Sequence, residues 1–457
     1  MVRAARCFTY TRQVAADYQH TSDQRTHTTH ETQLAIMKRA DAVQRTPRTE
    51  NSEAVDYDWL VIGSSPISVM EALYLRARGN RVVIIEARDR IGGAWTSTDF
   101  EEFSDVDLGP HVIDRNRRTY DFLQDYIGCD MQPVSPAPYQ YIGTTRHNYE
   151  STVSFLHGAA FHLAKMGRNI LGALTSPLLS IAYLVARNTK AATEALRDAQ
   201  RRLKSAHYSG RLAGSSLRNA VVDGFWNSLP LKFPKGGAPE LIHNLKTLLD
   251  EANIPVFCNE QIDRLHLHRD EALIRLQLSK QTITSKQVLM TSGSAIPEFL
   301  DGDQAHHVPR QTWTSANRCL IIEEASPPDF SYVHCTYHPI IAMAYEATAY
   351  VQPKTTRSKH CRVILTLLRS NYKPNERTID EIMHQLAAWG VVGQSARLVK
   401  AYSLDHTNPI KTREAMRDLE CRFAPFLKTL YSINLSHGIA QNSARWASAL
   451  APWKPPP

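Results

Sequence analysis

Gly63, Ser65 and Ser68 have the spacing of a phosphate-cradling turn, and Glu86, roughly 20 residues further on, stands where a ribose hydroxyl would be held. In such a turn the first residue makes the tight bend. The second lets backbone approach a pyrophosphate, and the third allows close packing of helix on strand. Here serine replaces glycine at the second and third places, adding a Cβ where backbone and phosphate nearly touch, although its hydroxyl can also donate to phosphate. Two readings follow from the residues alone: a working nucleotide site, or a Rossmann-like unit that has lost its nucleotide.

Other chemistries find less support. The histidine pairs His266/His268, His306/His307 and His334/His338 have no HExxH spacing, so strand or turn histidines exposed to solvent are expected, with no metal site. No GxSxG, Walker or CxxC pattern occurs. Tyr332, His334 and Thr336 would share one face of a strand, where they either line a substrate pocket or pack a core.

The elements around the first turn are explicit. An apolar run from Tyr57 to Ile62 leads into Gly63-Ser64-Ser65-Pro66. A helical pattern over Ile67 to Arg78 follows, stopping at Gly79-Asn80, and a second apolar run, Val82 to Ile85, ends at Glu86. This is the order of a βαβ unit. Later segments read as an amphipathic helix over Pro239 to Glu251 and short strands at Ile262 to Leu267, Ala272 to Leu278 and Val288 to Thr291. Further short runs between Cys319 and Leu367 suggest an antiparallel sheet, and helices are expected at Ile379 to Trp389, Thr412 to Leu419 and Ile439 to Ala449.

With 457 residues, two or three domains are expected. Hydrophobic residues at 43% and charged residues at 21% exclude a disordered or generally membrane-embedded chain. The basic residues are mostly spread out, and the densest basic group, Arg201, Arg202, Lys204 and Arg211, follows an apolar stretch and has no interleaved aromatic platform, so a nucleic-acid partner is not expected. Seven scattered cysteines favour a reducing, cytoplasmic setting. Residues 1–55 are polar and aperiodic and read as a poorly ordered tail; a transit peptide, or a start at Met37, are the alternatives. The stretch Phe155 to Ala186 is apolar but interrupted by Ser176, Pro177 and Ser180. It is expected first as a buried or groove-lining helical pair, and second as a peripheral membrane contact or hydrophobic-ligand surface within 155–186. Thr189 to Ala206 should follow as a charged helix.

The run VIGSSPISVMEALYLRARGNRVVIIEARDRIGGAW, Val61 to Trp95, resembles the N-terminal signature of FAD-dependent amine oxidases, protoporphyrinogen oxidases and related flavoproteins. Asp107 to His111 (DLGPH), Phe233 to Gly237 (FPKGG) and Asn259 to Ile262 (NEQI) resemble later segments of that superfamily in order. Ser436 and His437 stand where its Gly-Asp pair precedes the last helix. The resemblance implies an α/β fold: a Rossmann-type FAD/NAD(P)-binding domain assembled from 56–128, 231–300 and 421–450, with an inserted α+β substrate or cap domain from 129–230 and 301–420. It implies FAD as cofactor, with Gly63, Ser64, Ser65 and Ser68 at the pyrophosphate and Glu86 and Arg88 at the ribose. Gly92, Gly93, Ala94, Trp95 and Gly109 would lie on the flavin side, Ile262 would meet adenine through its main chain, and a cap at Ser436 would face the flavin end. His111 is the implied polar catalytic residue.

The activity implied is hydride transfer to flavin from a small or lipophilic organic substrate, in a chain able to form homo-oligomers. Two alternatives remain open at this point: a binding or partner subunit without redox activity, and a flavin-dependent non-redox isomerase.

Overall fold

The computed structural model describes residues 55–451, apart from 110, 112, 114–115, 143–144, 149–151, 226–229, 292–297, 303, 308–310, 336–337, 370–371, 411–412 and 433. The expected tail, residues 1–55, therefore lies almost wholly outside the described residues.

Strand β1 (Tyr57–Ile62) and strand β2 (Val82–Ile85) pair in parallel, joined by helix α1 (Pro66–Ala77). Their apolar residues are buried on both faces of the sheet, which is why these strands read as unbroken hydrophobic runs. The helix begins with Pro66 in its first turn, where a missing N–H costs nothing, and Ser65 caps it by accepting from the Ser68 amide. The remaining sheet order is read outward from β1. On one side β2 is followed by Val256–Phe257. On the other lies Thr282–Thr291, which also pairs with Leu427–Leu430. A nine-stranded sheet thus gathers segments more than 300 residues apart in the chain.

Helix α2 (Arg117–Ile127) starts at Asn116 and ends on the left-handed Gly128. Two long helices, α3 (Thr152–Val185) and α4 (Thr189–Phe225), form an antiparallel hairpin held by Asn169 Nδ2 to Ser205 Oγ and Ser180 Oγ to the Ala192 carbonyl. The chain returns through Lys232–Pro234 into α5 (Gly237–Glu251). A second, seven-stranded sheet runs from Thr145–Asn148 at one edge through Tyr139–Ile142, Tyr332–Cys335, Ile341–Glu346, Cys361–Leu368 and Asn317–Glu323 to Arg397–Ser403. Helices α6 (Thr378–Ala388), α7 (Arg413–Arg422) and α8 (Leu435–Leu450) complete the fold. Helix α8 is fastened to α1 by Glu71, which accepts from Arg445 Nη1 and Nη2 and from the buried Trp446 indole N–H.

Two sequence expectations change here. The outer face of α3 is exposed, with Leu178 68% and Val185 81% accessible, so the apolar stretch is not a buried helical pair. His334 lies inside the second sheet, and burial, with a smaller contribution from the Arg369 charge, pushes its pKa down to about 4. A solvent-exposed histidine there is ruled out.

Candidate functional site

The turn after β1 is built around Ser64. Gly63 takes a positive φ of 83°, a conformation glycine adopts without a Cβ penalty, and its N–H donates to the Ile85 carbonyl. The neighbouring Ser64 is buried, with its amide donating to Glu86 Oε2 at 2.9 Å and its hydroxyl to the same oxygen at 2.6 Å. The Arg88 amide donates to Glu86 Oε1 at 2.9 Å. The Ser64 hydroxyl oxygen also accepts from the Gly92 amide at 3.1 Å.

The double-glycine turn lies directly on this loop. Gly92 and Gly93 have φ of 123° and 58°, and a Cβ on Gly93 would sit 3.2 Å from both Cα and Cβ of Ser65. Arg88 Nη1 fixes the turn by donating to the Gly93 carbonyl at 2.7 Å. On the far side, the amides of Asn259 and Glu260 donate to the carbonyls of Arg88 and Glu86, which brings the segment before Ile262 alongside the acidic residue. Ile262 itself is buried two residues ahead of strand Arg264–His268, so the strand expected to begin at Ile262 begins at Arg264.

Past Gly93 the chain makes one 3-10 turn, Gly93–Trp95, and the Trp95 indole stacks on the His111 ring with centroids 4.6 Å apart and planes 13° from parallel. Gly109 is pressed against Asn317, whose Nδ2 donates to the Leu108 carbonyl. A small cavity of about 10 Å³ opens beside this pair, lined by His111, Val134, Leu231, Lys232, Phe233, Tyr332 and Tyr345. That is room for roughly one water, far below the size of usual ligand pockets, so these side chains mark a place in the fold and not an open substrate pocket. Tyr332 was legible as a pocket candidate and Phe233 as part of the FPKGG segment; Val134 and Tyr345 come from distant segments that the sequence did not single out. Thr336 lies outside the described residues, and His334 does not line the cavity.

Close by is Asp107. Burial, helped by the Asp105 charge, pushes its carboxyl up to about 8, and neither oxygen has a hydrogen-bond partner among the described residues. Burial also raises the pKa values of the neighbouring Tyr345 and Tyr350. Nothing in the residue pattern pointed to an uncharged carboxyl at this place.

The C-terminal helix departs from expectation. The residue capping α8 is Asn434, whose side chain accepts from the His437 amide, while Ser436 is buried inside the first turn. Asparagine is as strong a cap as serine, so the earlier residue takes the position and Ser436 does not present a capping hydroxyl. The helix start is nevertheless beside the nucleotide turn, because Gly438 packs on Ile67 of α1.

These residues meet the minimal needs of a dinucleotide. A carboxylate has about four acceptor positions, and three on Glu86 are taken, leaving one on Oε1 for a ribose hydroxyl. The start of α1 supplies a helix dipole for phosphate. Among the described residues no cluster of His, Cys, Asp and Glu could hold a metal ion.

Residues 61–126 match the model of the NAD(P)-binding Rossmann-like domain. A putrescine oxidase of Kocuria rosea is 32% identical over 111 residues, so the match spans less than a quarter of the relative's length, 23% of each chain. Among solved structures, cyclohexylamine oxidase from Brevibacterium oxydans IH-35A superposes with a TM-score of 0.52 at 13% identity, covering 87% of this chain and 99% of that one. A putrescine oxidase bound to putrescine gives a TM-score of 0.51 at 13% identity, with 87% and 98% covered. Residues 61–126 are thus similar to the NAD(P)-binding Rossmann-like domain, within an α/β fold shared with the solved putrescine and cyclohexylamine oxidases.

Proposed function

We propose that the protein is an FAD-dependent oxidoreductase of the amine-oxidase-like class, acting on a small or lipophilic organic substrate. The observation that carries this reading is the Gly63 turn with Glu86 beneath it and the Gly92-Gly93 turn upon it, leading through Trp95 to its stacked partner His111. When bound, the isoalloxazine supplies hydride acceptance from a carbon next to nitrogen, oxygen or an activated C–C bond.

The chain's own residues do the rest. Glu86 accepts the ribose hydroxyl, and the α1 N-terminus faces the pyrophosphate with its dipole. Trp95 and His111 form a flat stacked wall. Tyr332, Tyr345 and Phe233 keep the cavity apolar and dry, and His111 is the titratable ring at its edge, able to hold a proton at the substrate. In support stand the putrescine oxidase match through the first βαβ unit and the shared fold.

One observation favours a second reading, a binding or partner subunit without redox activity. Ser64 already occupies Glu86 Oε2, and Ser65 fills the space against Gly93. Visible absorption of the purified protein separates the two. Flavin bands, or a rise in melting temperature on adding FAD, are expected. A colourless protein with no thermal shift from FAD or a nicotinamide dinucleotide would leave the second reading.

A further inference from the structure

The α3–α4 hairpin is packed inside out for a soluble helical pair. Its buried positions are small: Ala159, Ala173 and Ser180 on α3, and Ala192, Ala199 and Ala213 on α4. The large apolar side chains of α3 point outward instead. Leu163, Ile170, Leu174, Leu178, Ile181 and Val185 recur at spacings of three, four and seven, which places them on one helical face, and each is 38% exposed or more. Small residues at the seam with serine and asparagine hydrogen bonds across it, and leucine outside, is the arrangement helices adopt where the surroundings are lipid.

Charge points the same way. Residues 152–225 hold ten Lys and Arg against three Asp and Glu, nearly the whole excess of a chain whose net charge is +8. Such a hairpin repels a second copy of itself and is drawn to an anionic surface.

Helix α3 is long and apolar enough to cross a bilayer, but α4 is zipped along it. Ser176 of α3 donates to Asp198 of α4, and the exposed Arg197 and Arg201 flank that level. A spanning hairpin would carry those charges into hydrocarbon, at a cost that lying on the surface avoids.

We propose that the α3–α4 hairpin docks the protein on anionic membranes, lying flat with the Leu163-to-Val185 stripe in the acyl boundary and α4 above it. The hairpin returns towards the strand whose Lys232 and Phe233 line the cavity, so docking would tether the site to the membrane. The proposal is independent of FAD binding.

Flotation of the full chain with vesicles tests it. The protein is expected to float with phosphatidylcholine vesicles containing about one third phosphatidylserine, and several-fold less with phosphatidylcholine alone or at high salt. Leu174→Glu with Leu178→Glu should abolish flotation while leaving the melting temperature unchanged, since both side chains are 65% and 68% exposed. Arg197→Glu and Arg201→Glu should each weaken binding roughly fivefold or more. Wild-type protein that stays in the aqueous fraction with both vesicle types overturns the proposal. If light scattering then finds a dimer that Leu174→Glu/Leu178→Glu makes monomeric, a second copy covers the stripe. Undiminished flotation of the double variant overturns it equally.

Discussion

The Ser64 hydroxyl and the Glu86 carboxylate are 2.6 Å apart, and both are buried. The acidic residue that would hold a ribose is therefore engaged by the very loop that would hold the pyrophosphate, and dinucleotide affinity is expected to depend on that internal bond.

Ser64→Ala tests the coupling. It removes a hydroxyl that donates to a charged group and accepts from Gly92, so a loss of about 1–3 kcal/mol of stability is expected by chemical denaturation. At the same time an acceptor position on Glu86 is released, and FAD should bind several-fold more tightly in calorimetric titration. Glu86→Ala should instead lose both stability and FAD binding.

Ser65→Gly and Gly93→Ala probe the contact between the two turns. Replacing Ser65 by glycine costs only a few tenths of a kcal/mol as a cap and opens the space above the helix start, so FAD affinity should rise. If the Ser65 hydroxyl donates to phosphate, affinity should fall. Gly93→Ala places a Cβ 3.2 Å from Ser65 at a φ of 58° and should cost roughly 1–2 kcal/mol.

Asp107 predicts an unusual pH dependence. Its carboxyl stays protonated in the folded protein up to about pH 8, whereas the ordinary value is 3.8. Because the folded-state pKa is raised, its stabilising contribution is complete below about pH 4 and is lost as pH rises towards 8, with a slope approaching 1.4 kcal/mol per pH unit. Denaturant unfolding between pH 4 and 8 should show this decline. Asp107→Asn should flatten it.

Glu71→Ala should loosen the C-terminal helix. It strands the Trp446 indole N–H, which is fully buried, and releases Arg445, which is partly exposed and screened, so a loss of roughly 2–3 kcal/mol is expected. Hydrogen exchange should rise first in Leu435–Leu450. A uniform rise across the chain would show that α8 is not held separately by this contact.

The first βαβ unit was legible in the sequence because every signal it needs is local. Apolar runs of strand length flank a turn-forming Gly63, a capping Ser65 precedes Pro66, and Glu86 ends the second run, all within one supersecondary unit. Helices α5 and α8 were legible for the same reason, through their periodicity, although the cap of α8 moved to Asn434 because two neighbouring residues are both good caps and only packing chooses between them. Tertiary structure alone decided the rest. The cavity joins His111, Phe233 and Tyr345 from three distant segments, and Asp107 is uncharged because surrounding elements remove its water, an effect no neighbour in sequence announces. The apolar composition of α3 was plain, but which face it buries depended on α4. Alanine and serine let the two helices approach closely, leaving leucine on the outside. Local propensity fixes an element when its partners lie within a few turns of chain; burial and charge state depend on what the whole fold brings against it.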